Sequence, residues 1–109
     1  MKRAYRDEIE RLGWTIREYD DDIEIAQGSP AGEDFFFSVS GKNIVQEIRE
    51  YADDFDADEH AEMWVEARHK DKTVPQSIRE LIDDADAIKQ MLTELAEALE
   101  KIEREEKKK

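Results

Sequence analysis

The chain contains no cysteine, which excludes a disulfide framework, a thiolate zinc site and a thiol nucleophile. It also lacks any apolar run that approaches the roughly 18 residues of a membrane-spanning helix. Residues 1–8 turn acidic where a secretory signal peptide would turn apolar. These absences predict a soluble protein of the cytoplasm.

Catalytic motifs are missing as well. There is no Gly-rich phosphate loop, no Gly-x-Ser-x-Gly turn and no His-Glu-x-x-His helix. His60 and His69 are the only histidines, and their spacing favours solvated or edge positions over a metal pair. Paired carboxylates are too numerous to mark one sheltered pocket. We expect no enzyme activity, cofactor or metal; a metal-dependent enzyme is the third hypothesis, and calorimetry with divalent cations would test it.

One acidic run begins like a calcium loop. Asp54, Asp56 and Asp58 stand where the first ligands would, but the sixth position requires glycine and here is Glu59. The twelfth position requires Glu and here is Val65. A helix start, with Asp56 as N-cap and Glu59 as its reciprocal acid, explains the same residues without an ion.

Basic residues are scarce in the middle of the chain. Residues 18–66 contain sixteen Asp and Glu but only Lys42 and Arg49, which gives a net charge of −14 in a chain whose total is −13. Like charges at this density repel one another and lower folding stability, so they predict a basic protein partner. Direct binding to nucleic acid or to an anionic membrane is disfavoured, because the phosphate contribution would be repulsive.

The apolar periods predict a small α+β fold, which begins with a helix and a sheet. Residues 2–12 form a short amphipathic helix that Gly13 ends. Apolar and polar side chains then alternate in segments 14–17, 23–26 and 35–39. Three short strands joined by tight turns predict an antiparallel meander with one covered face.

Three helices follow the meander. Asn43, Asp56 and Ser77 are their predicted N-caps, and the last helix is the longest. We expect residues 1–103 to form a single α+β domain and residues 104–109 to be a charged, flexible tail.

A heptad seam runs along the final helix, and two structures can bury it. Part of the seam must meet another helix, because a helix of roughly 25 residues is longer than a three-stranded meander can cover. That helix is either an earlier one in the same chain or the same helix in a second copy. The seam residues are Ile78, Leu81, Ala85, Ile88, Leu92, Leu95, Leu99 and Ile102.

Three apolar side chains have two possible roles. Phe36 points away from its two Phe neighbours in a regular strand, and we expect a helix to bury it on the second face of the sheet. If exposed instead, it is a candidate binding anchor. Trp64 shares an apolar stripe with Val65 and is expected in the core, whereas Met63 is either core or contact.

The acids are spaced to imitate a nucleic acid. Helix positions three and four apart place side chains about 5–6 Å from each other, and B-DNA presents one negative charge per ~1.7 Å of axis. A row of such carboxylates would occupy a basic DNA- or RNA-binding groove, with fast and salt-sensitive association. The alternative is a solvated acidic face. The candidate partner-binding residues are Asp20, Asp21, Asp22, Asp53, Asp54, Asp56, Asp58, Glu59, Glu62 and Glu66.

Two segments carry a resemblance to known proteins. Residues 40–68, SGKNIVQEIREYADDFDADEHAEMWVEAR, resemble a block of small acidic proteins from phages and plasmids of Gram-positive bacteria, and Val74, Pro75 and residues 77–85 are similar to the segment after it. Others from that genomic setting are anti-CRISPR or antirestriction inhibitors, several of which mimic DNA. The resemblance implies a mobile-element origin and a host-cell cytoplasmic location, and it transfers no functional residue.

The leading hypothesis is a non-catalytic, anti-CRISPR-type inhibitor that blocks the nucleic-acid groove of a CRISPR effector or restriction nuclease. The second is a dimeric adaptor that associates through its heptad seam and holds two partners together. Changing Leu92 and Leu95 to Asp separates the two hypotheses, because an adaptor would lose dimerisation whereas a monomer with an internal seam would unfold.

Overall fold

The computed structural model describes residues 1–71 and 78–108, without the side chains of residues 64, 65, 67–71 and 78. It confirms the α+β fold: an N-terminal helix, a three-stranded antiparallel sheet, then helices of which the last is long. In chain order the elements are α1 (Arg3–Arg11), β1 (Thr15–Glu18), β2 (Ile23–Gly28), β3 (Asp34–Val39), α2 (Ile44–Asp54), α3 (Ala57–Asp71) and α4 (Ile78–Lys107).

The sheet has β2 at its centre, with β1 and β3 as antiparallel neighbours. Ile25 lies opposite Ile16 and Phe37, so the three side chains share one face. Along β3 the side chains alternate strictly between exposed and buried. The buried face of the sheet packs against the helices and forms one side of the core.

The expectation that Phe36 is buried is wrong. Its side chain is 60% exposed, and Thr15, Arg17 and Ser38 on the same sheet face are exposed as well. The reason is that the described helices pack on the face that carries Phe35 and Phe37, so none of them covers the other face. Phe36 is therefore a candidate binding anchor.

Aromatic rings beneath the sheet hold α2 against β3. Phe37 stacks on Tyr51 with ring centroids 4.5 Å apart, and Trp14 meets Phe37 edge-on at 5.8 Å. Phe35 meets Phe55 edge-on at 5.7 Å. Such pairs contribute roughly 0.5–1.5 kcal/mol each beyond the apolar area that they bury. These ring contacts hold α2 next to β3.

The heptad seam of α4 is buried within one chain. α1, α2 and α3 all pack against α4. The helix has 30 residues, roughly 45 Å in length, and it extends into the segment 104–109 that was expected to be a tail. The seam side chains that are buried are Leu81, Ala85, Ile88, Leu92, Leu95 and Leu99, and Ile102 is half-buried.

Two of the three predicted helix caps are confirmed. The Asn43 side chain accepts a hydrogen bond from the Gln46 amide at 3.4 Å, and Asp56 accepts one from the Glu59 amide at 3.1 Å. The predicted cap at Ser77 lies outside the described residues, as do the side chains of Trp64, Val65, Arg68 and His69.

The structure also locates the side chains of Met63 and His60. Met63 is 62% exposed, so it belongs to the surface rather than the core. His60 is half-buried at the edge of the core, where its Nε2 atom lies 2.9 Å from the Glu33 carboxylate. This contact fastens the β2–β3 loop to α3.

Candidate partner-binding surface

The β1–β2 turn presents three consecutive carboxylates. The Tyr19 amide donates to the Asp22 carbonyl at 2.8 Å and closes the turn, which leaves Asp20, Asp21 and Asp22 exposed. Ile23, the next residue, lies opposite Val39. The turn therefore lies at the same end of the sheet as the end of β3, where the chain continues towards α2.

Helix α2 brings a second set of acids to this end. Glu47, Glu50 and Asp54 are spaced three and four residues apart, so they lie along one helix face. A groove runs between this face, the end of β3 and the β1–β2 turn. We call it the acidic groove. Its lining residues are Asp21, Asp22, Ser38, Val39, Ser40, Glu47, Glu50, Tyr51 and Asp54.

No Lys, Arg or His is among the described residues that line the acidic groove. Asp21 and Asp22 come from the turn, and Glu50 and Asp54 come from a helix some thirty positions later in the chain. Their negative charges therefore add in one concavity. Tyr51 lies among them, with its ring fixed by the stack on Phe37.

Glu47 differs from the other acids because its carboxylate is already satisfied. It accepts hydrogen bonds from the Ser40, Gly41 and Asn43 amides at 2.9, 3.0 and 3.3 Å, and from the Ser40 hydroxyl at 2.5 Å. Burial alone would raise the pKa of Glu47, but these hydrogen bonds outweigh it and hold the pKa below its usual range. Glu47 therefore shapes the groove rather than offering a free carboxylate.

A second depression adjoins the acidic groove on the sheet side. Asp20, Asp21 and Asp22 line it together with Tyr19, Glu24 and Ser38. Three of these residues also line the acidic groove, so the two concavities form one continuous surface that reaches the uncovered sheet face. Tyr19 is 56% exposed on this surface.

The remaining predicted residues do not line either concavity. Asp53 pairs with Arg49, whose Nη1 atom is 3.3 Å from its carboxylate, and Asp56 caps α3. The other four are exposed on α3, where three of them lie on one helix face at spacings of three and four. These α3 acids are Asp58, Glu59, Glu62 and Glu66.

No ion pair among the described residues joins a basic residue to an acid of the acidic groove, although Arg17 lies opposite Glu24 on the neighbouring sheet face. The basic residues near the two ends of the chain pair with acids outside the acidic groove: Arg3 with Asp7, Arg6 with Glu18, and Lys107 with Glu103. Lys2 joins the two ends by pairing with Glu106 at 3.0 Å. Of the ten predicted site residues, Asp53 is the one with an ion pair among the described residues.

Three acids and two tyrosines that line the two concavities are not among the predicted site residues: Glu24, Glu47, Glu50, Tyr19 and Tyr51. Glu50 shows the helical spacing to Asp54 in the sequence, so the pattern that identified Asp54 indicates it too. Glu24 follows from strand alternation, because its neighbours Ile23 and Ile25 both face the core. Nothing in the sequence marks Tyr19 or Tyr51 as surface residues.

No protein-family model matches the chain, and searches of curated proteins and of solved structures find no match either. No three His, Asp or Glu side chains within the described ranges are arranged to hold a metal ion. Across residues 1–71 and 78–108, no helix is both long and apolar enough to cross a membrane.

Proposed function

We propose that this chain is a non-catalytic inhibitor of a host defence nuclease, and that it acts in the host cytoplasm as an acidic mimic of nucleic acid. Its target is a CRISPR effector or restriction nuclease whose basic DNA- or RNA-binding groove takes up the acidic surface. The observation that carries the proposal is the acidic groove, where acids from the β1–β2 turn and from α2 come together and, among the described residues, no basic side chain lines it.

A cationic partner would offset the repulsion among the acids of this surface. Carboxylates that repel one another reduce stability, so a concentrated acidic surface is useful when a cationic partner neutralises it. A nuclease groove lined with Lys and Arg provides that charge, and opposite potentials accelerate encounter at low salt. The resemblance of residues 40–68 to small acidic phage and plasmid proteins supports the same class of target.

A dimeric adaptor has less support. Residues Leu81, Leu92 and Leu99 of the heptad seam are buried against helices of their own chain. A second copy can reach that seam only if the fold opens. We therefore propose no function that depends on dimerisation through α4.

Cleavage assays with two matched variants test the proposal. One variant neutralises the groove by Asp21→Asn, Asp22→Asn, Glu50→Gln and Asp54→Asn. The control neutralises four exposed acids of α4, by Asp83→Asn, Asp86→Asn, Glu97→Gln and Glu105→Gln. Both variants change the net charge equally. Cleavage by a guide-loaded CRISPR effector and by a restriction nuclease is measured with each protein, at low and high salt.

We expect wild type and control to inhibit one of the two nucleases, more strongly at low salt, and the groove variant to lose inhibition. Equal loss in both variants would show that only net charge matters. Full inhibition by the groove variant would show that the groove is not the site, and no inhibition by wild type would exclude the two nucleases tested as targets.

A further inference from the structure

Strand β3 has an open edge. The sheet order is β1-β2-β3, so β3 pairs with β2 on one side and with no described strand on the other. An open edge presents a row of unpaired N–H and C=O groups that a further strand can bind. Whether β3 can accept such a strand depends on which groups face outwards and on what protects them.

The register identifies the outward-facing groups. Ser29 and Glu33 extend the β2–β3 register by one pair, and the Ser29 amide donates to the Glu33 carbonyl at 2.8 Å. Hydrogen-bonded and non-hydrogen-bonded pairs alternate along antiparallel strands, so every second residue from Glu33 onwards bonds to β2. The intervening residues point their N–H and C=O groups away from β2. These outward-facing residues are Asp34, Phe36 and Ser38.

Nothing in the described part of the chain occupies or protects these groups. Their backbone atoms make no hydrogen bond to any loop or side chain there. Proteins usually guard an edge strand with Lys, Pro or a bulge. The strand Asp-Phe-Phe-Phe-Ser-Val has neither Lys nor Pro, and its register with β2 is continuous over all six residues.

The side chains next to this edge indicate what kind of strand fits. Phe36 is 60% exposed on the outer sheet face and offers an apolar contact beside the edge. At the other end, Ser38 and Val39 line the acidic groove together with Glu50 and Asp54. A strand that runs along β3 therefore passes an aromatic ring and then meets carboxylates.

We propose that the edge of β3 binds an extended, basic segment of a partner protein as a fourth strand. Its backbone bonds to Asp34, Phe36 and Ser38, an apolar side chain packs on Phe36, and Arg or Lys side chains enter the acidic groove. A second copy of this chain fits poorly, because antiparallel pairing of two β3 strands would place Asp34 of each copy against the acidic groove of the other. The proposal does not require the partner to be a nuclease.

Synthetic peptides separate backbone pairing from charge attraction. The probe is a peptide in which Arg and Val alternate, and its control carries N-methyl groups on the amides that would face β3. Both have the same charge, but the control cannot donate hydrogen bonds to the edge. We expect titration by ¹⁵N NMR to show shifts at Asp34, Phe36 and Ser38 with the probe, and about tenfold weaker binding by the control. Equal affinity of the two peptides would overturn the proposal.

Two variants at one position provide the matching test on the protein. Phe36→Pro removes an N–H that faces outwards, so the bonds between β3 and β2 remain, whereas Phe36→Ala removes only the ring. We expect the Pro variant to bind the Arg-Val peptide about tenfold more weakly than the Ala variant. Melting curves show whether both variants are folded. If the Pro variant does not fold, the comparison of the Arg-Val peptide with its N-methylated control on wild type still tests the proposal.

Two results would contradict the edge proposal. The first is equal peptide binding by the Pro and Ala variants. The second is a wild-type dimer that Phe36→Pro abolishes, since the edge would then bind a second copy. Both variants keep every carboxylate of the acidic groove, so these results are independent of the test of nuclease inhibition.

Discussion

Arg49 of α2 donates two hydrogen bonds to the Glu100 carboxylate of α4: Nε lies 3.1 Å from one oxygen and Nη2 lies 2.5 Å from the other. Hydrogen bonding to Arg49 holds the pKa of Glu100 below its usual range, although burial opposes this shift. The pKa of Arg49 is raised, chiefly by its hydrogen bonds to Glu100. Paired hydrogen bonds of this kind also fix geometry. They hold α2, which carries Glu47, Glu50, Tyr51 and Asp54 of the acidic groove, against α4.

The first prediction concerns this ion pair. Glu100→Gln should lower the free energy of unfolding by about 1–2 kcal/mol, because a charged, partly buried partner of Arg49 is lost. Asp53→Asn is the control, since Asp53 also contacts Arg49 but is 63% exposed. Its cost should stay below about 0.5 kcal/mol. Urea unfolding at neutral pH measures the free energy of unfolding of both variants. Equal losses would contradict a stabilising role of the Arg49–Glu100 pair.

The second prediction is a pH dependence from Glu47. Its folded-state pKa lies below its unfolded value, so its stabilisation is fully present above about pH 4.3 and is lost as the pH falls through the folded pKa. Glu47→Gln removes this ionisation and leaves one oxygen as an acceptor. We expect the stability difference between wild type and variant to be constant from about pH 6 to 8 and to shrink below about pH 4. Urea titrations at several pH values measure it. A difference that grows on acidification would contradict the assignment.

The sequence predicted the sheet and two helix caps because both depend on local patterns. Alternation places Phe35 and Phe37 on one side of β3 whatever packs there, and Asn43 caps α2 through a residue three positions away. The exposure of Phe36 could not be predicted in this way, because it depends on whether a helix covers the second sheet face. No property of the strand itself decides that.

The candidate site was predictable only in part, because its convergence depends on tertiary packing. Charge density identifies Asp21, Asp22 and Asp54 as candidates, but only the register of Ile23 with Val39 and the packing of α2 bring them into one groove. The α3 acids have the same composition and lie elsewhere. Charge density alone does not show which acids from different elements converge.

The third prediction concerns the turn that leads from β3 into α2. Gly41 has a φ of +85°, and a Cβ atom there would lie 2.7 Å from Cδ1 of the buried Ile23. Gly32 has a φ of +91°, but a Cβ atom there would meet nothing within 4 Å. Both Ala variants carry the backbone strain of about 1–2 kcal/mol. Gly41→Ala should cost about 1 kcal/mol more than Gly32→Ala, because Ile23 must also shift. Thermal melting of the pair measures this, and equal costs would mean that the core accommodates the methyl group.

The fourth prediction tests the place of the heptad seam. Leu92 is fully buried and Ile82, on the same helix, is 41% exposed. Leu92→Ala should lower the free energy of unfolding by about 3 kcal/mol, and Ile82→Ala by less than about 0.5 kcal/mol. Light scattering should give 12.8 kDa for wild type and both variants, because the seam packs within one chain.

The heptad spacing alone fits a hairpin and a dimer equally well, so mass and stability must be read together. Stability that rises with protein concentration, with a wild-type mass near twice that of one chain and a monomeric Leu92→Ala variant, would assign the seam to a dimer. It would then restore the adaptor as the better hypothesis. A constant monomer mass with a large loss of stability in Leu92→Ala assigns the seam to the core, where it supports the α4 surface against which α2 packs.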